Sequence, residues 1–256
     1  VFVMAGGNDV LYQLGALQAG ATDAGKKAGA TAGAQAFATN LAMALAAGAT
    51  NPATAAAAIG AAIKTASAAP GATSTTIVGA AVQAAVTAGN TAVASPAVYG
   101  PLAAKAQADA TVTGNAAGAK AGADYAAAQG PLLVASMKQA GTELVALVKD
   151  QIIAKGANYV IVNNLPDVAG TPSGLSKDAN TKALINAMVS AFNGELSGGL
   201  NGNAKVLLVD VFKVSNDQGT NPGPYGLTNV SETACDLNAP GNILGSSLVC
   251  NGTNLK

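Results

Sequence analysis

Histidine is absent from this 256-residue chain, and cysteine occurs only twice. Without imidazole the chain lacks the side chain that ordinarily takes and returns a proton near neutral pH. Two cysteines with no histidine are also too few for a structural metal site, so no metal is expected. Charge is scarce: Asp, Glu, Lys and Arg make up 10% of the residues, against roughly a quarter in ordinary globular proteins, and the formal net charge is zero. A phosphate backbone is held by clustered basic side chains, and here they are scattered, so no nucleic-acid partner is expected. Long strongly apolar runs are missing too. The hydrophobic half of the composition is largely alanine broken by Gly, Thr, Asn and Pro, and no transmembrane helix is expected.

What is there divides by composition. Residues 11–128 are rich in alanine, glycine and threonine, and their few large apolar residues recur at helical spacing: Phe37, Leu41 and Leu45; Ile59 and Ile63; Val78, Val82 and Val86. Gly48 with Asn51-Pro52, Ala69-Pro70-Gly71, and Gly89-Asn90 read as helix stops and starts. The pattern predicts three or more short amphipathic helices, then a looser stretch around Ser95-Pro96 and Gly100-Pro101. Disorder is the competing reading of such low complexity, but disordered segments are poor in Ile, Val and Leu and rich in charge. Residues 129–256 are conventional. Pro131 suits a helix start, Met137, Leu144, Val148 and Ile152 form a stripe, and Tyr159 to Val162 reads as a buried strand. A helix from about Lys177 to Leu196 and a strand from Lys205 to Phe212 follow. Strand, helix, strand is the pattern of a crossover in a parallel sheet.

The first ten residues hold the densest chemical signal. Val1-Phe2-Val3-Met4-Ala5 reads as a buried strand running into Gly6-Gly7-Asn8-Asp9. Ligands of open α/β sheets bind at the carboxyl edge of the strands. Glycines there let the backbone approach a substrate, and the Asn8 side-chain amide is a donor suited to a developing oxyanion. A plain turn closing a strand is the alternative for the same residues.

Gly6-Gly7-Asn8-Asp9 resembles the Gly-x-Asn-Asp block of the GDSL, or SGNH, family of serine esterases and lipases. The segments Tyr159 to Pro172 and Tyr225 to Cys235 resemble stretches found in the secreted and autotransporter-type bacterial members. The resemblance implies a three-layer α/β/α sandwich with a parallel sheet, here a single partial domain over residues 1–256 carrying the helical insertion. It implies a carboxylic-ester hydrolase acting on lipid-like or short-chain acyl esters, without metal or organic cofactor. Asn8 would donate to the oxyanion with the Gly6 and Gly7 backbone, and Asn164 and Pro166 would line the substrate, although a turn or cap role competes for Asn164. The chain departs from the family in lacking both the Gly-Asp-Ser block and the Asp-x-x-His block. A Ser-His-Asp mechanism needs an imidazole, so the missing N- and C-terminal blocks are the expected partners and the chain alone is expected to be inactive. The insertion then stands after the Asn8 loop, either as a lid or as a surface elaboration without substrate contact. A non-catalytic surface or assembly protein that keeps the fold is the alternative. The implied location is extracellular or on a bacterial surface, where Cys235 and Cys250 are expected to pair and contribute about 3 kcal/mol by closing a short loop. Asn229-Val-Ser and Asn251-Gly-Thr match the glycosylation triplet.

Overall fold

Alanine has the highest helix propensity of all residues, and in an alanine-rich chain helices propagate until a specific stop intervenes. The computed structural model of the protein describes residues 1–236, 238 and 250. Its elements run β1 (Phe2–Val3), α1 (Gly7–Ala46), α2 (Pro52–Ala68), α3 (Ser74–Thr87), α4 (Pro96–Leu147), β2 (Val160–Asn163), α5 (Pro172–Leu175), α6 (Ala179–Leu200), β3 (Val206–Val209) and α7 (Val211–Thr220). Short 3-10 turns span Thr91–Ala94 and Gly223–Tyr225, and a π-helical turn, Val148–Ile153, extends α4. The chain forms two compact units: residues 18–127, and residues 1–17 together with 128–256. Both α1 and α4 pass from one unit into the other.

The unit of residues 18–127 is entirely helical. Its core contains the expected stripes, with Leu41, Leu45, Ile59 and Ile63 buried and Phe37, Val78, Val82 and Val86 packed against them. The expected stops also operate. Asn51 caps α2 by accepting from Thr54 N at 3.2 Å with Pro52 in the first turn, and Thr73 and Thr76 form a capping box on α3. Asn90 is buried, and its Nδ2 donates at 2.7 Å to the Leu45 carbonyl, which the end of α1 would otherwise leave without a partner. Where short helices were expected before Gly48, α1 runs unbroken for 40 residues. The expected loose stretch at Pro96 and Pro101 instead forms the first turns of the 52-residue α4. Pro96 is tolerated as the first helical residue because the first helical N–H groups need no carbonyl partner, whereas Pro101, the sixth, forgoes one bond of the ladder.

Glycine explains why these long helices persist. Gly25, Gly29 and Gly33 lie four residues apart on one face of α1, and Gly114, Gly118 and Gly122 do so on α4. A Cβ built on Gly25 would lie 2.9 Å from the Gly118 carbonyl oxygen, and one on Gly114 would lie 2.8 Å from that of Gly29. The two backbones therefore touch directly, where Cα–H groups can face carbonyl oxygens. These glycines are packing positions, not breakers.

In the other unit β1, β2 and β3 form a parallel sheet in that order, with Phe2 opposite Ile161 and Ile161 opposite Leu207. One face of the sheet is buried through Val160 and Val162, in a core with Met137, Ile185, Met188 and Phe192. On the other face Phe2 and Leu207 remain 79% and 60% exposed. This corrects the expected three-layer sandwich: 72% of the described residues are helical, and the three strands are short. The strand order steps the same way twice, and right-handed crossovers then place both connections on one side of the sheet. Other boundaries shift as well. Pro131 lies inside α4, where it has no N–H to give to the Ala127 carbonyl. The expected third strand ends at Val209, because Asp210 caps α7 through Lys213 N at 3.1 Å, and a helix replaces the expected loop.

Candidate functional site

Parallel pairing brings the carboxyl ends of all three strands to one edge of the sheet, so the loops after β1, β2 and β3 share a rim. After β1 the chain turns at Gly6, whose φ of +99° suits glycine and whose Cβ would lie 2.7 Å from Phe192 Cζ. Any other residue there would be strained in torsion and would press on the Phe192 ring. Gly7 opens α1, and the first bond of the helix runs from Val10 N to Gly6 O at 3.2 Å. Asn8 and Asp9 lie in this first turn and are exposed. Asp9 suits the positive end of the helix dipole. The Asn8 amide makes no hydrogen bond among the described residues, so its donors face solvent beside the uncapped N–H groups of the turn.

After β2, Asn164 is buried and fully engaged in holding the rim together. Its Nδ2 donates to Asp210 Oδ1 at 2.9 Å, and its Oδ1 accepts from Phe212 N at 3.0 Å. Asn164 thus ties the end of β2 to the start of α7. The hydrogen bond from Asn164, followed by that from Lys213 N and the nearby Lys213 charge, holds the Asp210 carboxyl below its ordinary range, and slight burial only partly offsets this. Pro166 is half-buried, and no hydrogen bond joins Asn8 to Asn164 among the described residues. Asp167 is likewise engaged: it accepts from Gly170 N at 2.9 Å and from Asn216 Nδ2 at 2.8 Å.

Asn193 is the rim residue that sequence reasoning missed. From the middle of α6 its Oδ1 accepts from Leu165 N at 2.8 Å and its Nδ2 donates to Leu165 O at 2.9 Å, clamping the loop after β2 by both ends of one amide. The available signal was a polar residue directly beside Phe192 on the apolar stripe of α6. Asn164, Asn193 and Asp210, with Ser190 and Ser197, line a shallow depression of 260 Å³. Hydroxyls, amides and one carboxylate converge there, but no imidazole, and no cluster of three or more metal-ligating side chains occurs among the described residues. This set can bind polar groups. It cannot by itself carry the proton transfers of a serine hydrolase.

Cys235 and Cys250 are joined by a disulfide with their Cα atoms 5.9 Å apart. Asn229 is exposed and accepts from Glu232 N at 3.0 Å, while the second triplet, at Asn251, lies outside the described residues. No helix among the described residues is long and apolar enough to cross a membrane. No protein-family model, curated protein or solved structure matches the chain.

Proposed function

We propose that the chain is the central part of a secreted carboxylic-ester hydrolase acting on lipid-like or short-chain acyl esters, whose serine nucleophile and histidine base lie outside it. The observation that supports this is the turn between β1 and α1. At the carboxyl edge of a parallel sheet, a glycine held at positive φ delivers an unpartnered Asn8 amide and the free N–H groups of a helix start to one exposed point. Such donors act on charge that develops only in the transition state. The resemblance of Gly6-Gly7-Asn8-Asp9 to the Gly-x-Asn-Asp block assigns the same role to Asn8.

The test compares the isolated chain with a protein completed by Ser- and His-bearing flanks, using aryl esters of graded acyl length. The isolated chain is expected to hydrolyse none of them. The completed protein should turn over and should react with a fluorophosphonate probe, and Asn8→Ala in it should lower kcat by about 10²- to 10³-fold with little change in KM. Turnover by the isolated chain would remove the serine–histidine mechanism. A completed protein that neither turns over nor labels would favour the second reading, a surface or assembly protein, which the glycine-seamed helices of residues 18–127 support by providing length and close packing.

A further inference from the structure

We propose that Asn201 is a site of spontaneous succinimide chemistry, converting the Asn201-Gly202 linkage to aspartate and isoaspartate in the folded protein. Two Asn-Gly pairs occur among the described residues, and the fold treats them oppositely. Asn201 is the exposed cap at the end of α6, in extended backbone (φ −61°, ψ 140°), and Gly202 follows at φ +76°. The Gly202 N–H donates to Asn201 Oδ1 at 3.1 Å, so the nucleophilic nitrogen already lies beside the side-chain carbonyl. Ring closure then needs rotation of the Asn201 backbone and side-chain bonds, in a solvated turn whose next residue has no side chain to obstruct it. Asn193-Gly194 has the same chemistry in its sequence, but Asn193 lies inside α6 with both ends of its amide bound to Leu165.

In the reaction the Gly202 amide gives its proton to solvent base and its nitrogen attacks Asn201 Cγ. The N–Cγ bond forms, Nδ2 takes up a proton from solvent, the Cγ–Nδ2 bond breaks, and Nδ2 departs as ammonia. Water then adds to one ring carbonyl. Cleavage of N–Cγ returns an ordinary aspartate, whereas cleavage between the nitrogen and the backbone carbonyl carbon leaves isoaspartate, with one extra carbon in the main chain. Either product places a carboxylate at the C-terminal end of α6, where the helix dipole disfavours it. Isoaspartate also lengthens the short link in which Asn203 N bonds Leu200 O at 3.2 Å and Val206 N bonds Asn203 O at 2.9 Å, just before β3.

The chain as it stands can be incubated at mildly alkaline pH, native or in denaturant, and its peptides assayed for ammonia loss and, by electron-transfer fragmentation and methyltransferase labelling, for isoaspartate. In the native protein Asn201 should convert at least about tenfold faster than Asn193, the factor that about 1.4 kcal/mol of local opening would impose on the clamped residue. In denaturant the two rates should approach each other. Equal rates in the native protein, or conversion of Asn193 ahead of Asn201, would overturn the proposal.

Discussion

The two units of this chain build stable cores by different means. Residues 18–127 bury alanine: Ala42, Ala46, Ala55, Ala81, Ala85, Ala106 and Ala110 are all nearly inaccessible, and two helices meet through glycine. The other unit buries Met137, Ile185, Met188, Val189, Phe192 and Leu196 around one face of a small sheet. A buried methyl contributes about 0.8 kcal/mol, and a large aliphatic or aromatic side chain about 1.5–3 kcal/mol. Side-chain burial per residue is therefore lower in the alanine unit. It gains instead from the low conformational entropy of ordering alanine and from direct backbone contact. One unit depends on volume, the other on closeness.

The largest effect is expected where volume matters most. Phe192 is 1% exposed, fills the space under Gly6, and lies where Gly141 of α4 approaches to 2.9 Å of its carbonyl oxygen, measured to a built Cβ. Phe192→Ala should destabilise the protein by about 3–5 kcal/mol, read as a shift of the urea midpoint at constant slope. Ala81→Gly, which removes a buried methyl from α3 in the alanine unit, should cost about 1–2 kcal/mol from burial and helix propensity together. If the two variants lost equal stability, the contrast between the units would fail.

Closeness makes a prediction of opposite sign at residues of one type. Glycine inside a helix is about 1 kcal/mol worse than alanine, so Gly→Ala normally stabilises. At Gly60 and Gly79 a Cβ would meet nothing within 4 Å, and Gly60→Ala and Gly79→Ala should each raise stability by about 0.5–1 kcal/mol. At Gly29 and Gly114 the Cβ would press on a backbone carbonyl at 2.9 and 2.8 Å, and a carbonyl in a helix cannot swing aside as a side-chain end can. Gly29→Ala and Gly114→Ala should destabilise by about 1–3 kcal/mol despite the better propensity. Thermal unfolding of the four single variants gives the signs directly. Four stabilising changes would mean that the seam opens without cost.

The same contrast explains which features the sequence made legible. Leu41, Leu45, Ile59 and Ile63 stood out because large residues at helical spacing are conspicuous against alanine, and Asn51-Pro52 acts within one turn of where it stands. Gly25, Gly29 and Gly33 were obscured because the rule that glycine weakens a helix is local, whereas their partners Gly114 and Gly118 lie on another helix far along the chain. The strands at Val160 and Val206 were legible from their β-branched runs. The count of layers was not, because it depends on how many crossovers the chain makes and in which direction they step. At the rim, Gly6 and Asn8 were legible from type and order, while Asn193 gave only a polar residue beside an apolar stripe. Asp210 was placed in a strand because Val211 and Phe212 continue its apolar run, and only the capping bond to Lys213 N shows the chain turning into a helix.

The smallest expected effect tests whether the rim of the volume-packed unit also carries an electrostatic component. Asp210 accepts from Asn164 and Lys213 N, and both bonds favour the ionised carboxylate, so its folded-state pKa lies below the ordinary 3.8. A carboxyl depressed on folding contributes stability that is fully present above its unfolded pKa and is lost as pH falls through the folded value. The contribution should therefore be constant at neutral pH, begin to decline near the ordinary carboxylate range, and vanish below the depressed value. Asp210 is mostly solvated, and screening limits the effect to about 0.5 kcal/mol or less. Asp210→Asn keeps an acceptor for the cap but removes the charge, so it should lose that increment at pH 7 and show a flatter acid limb than the parent. A parallel pair of stability curves from pH 7 down through the carboxylate range would show that the bonds to Asn164 and Lys213 position the loop without favouring the charge.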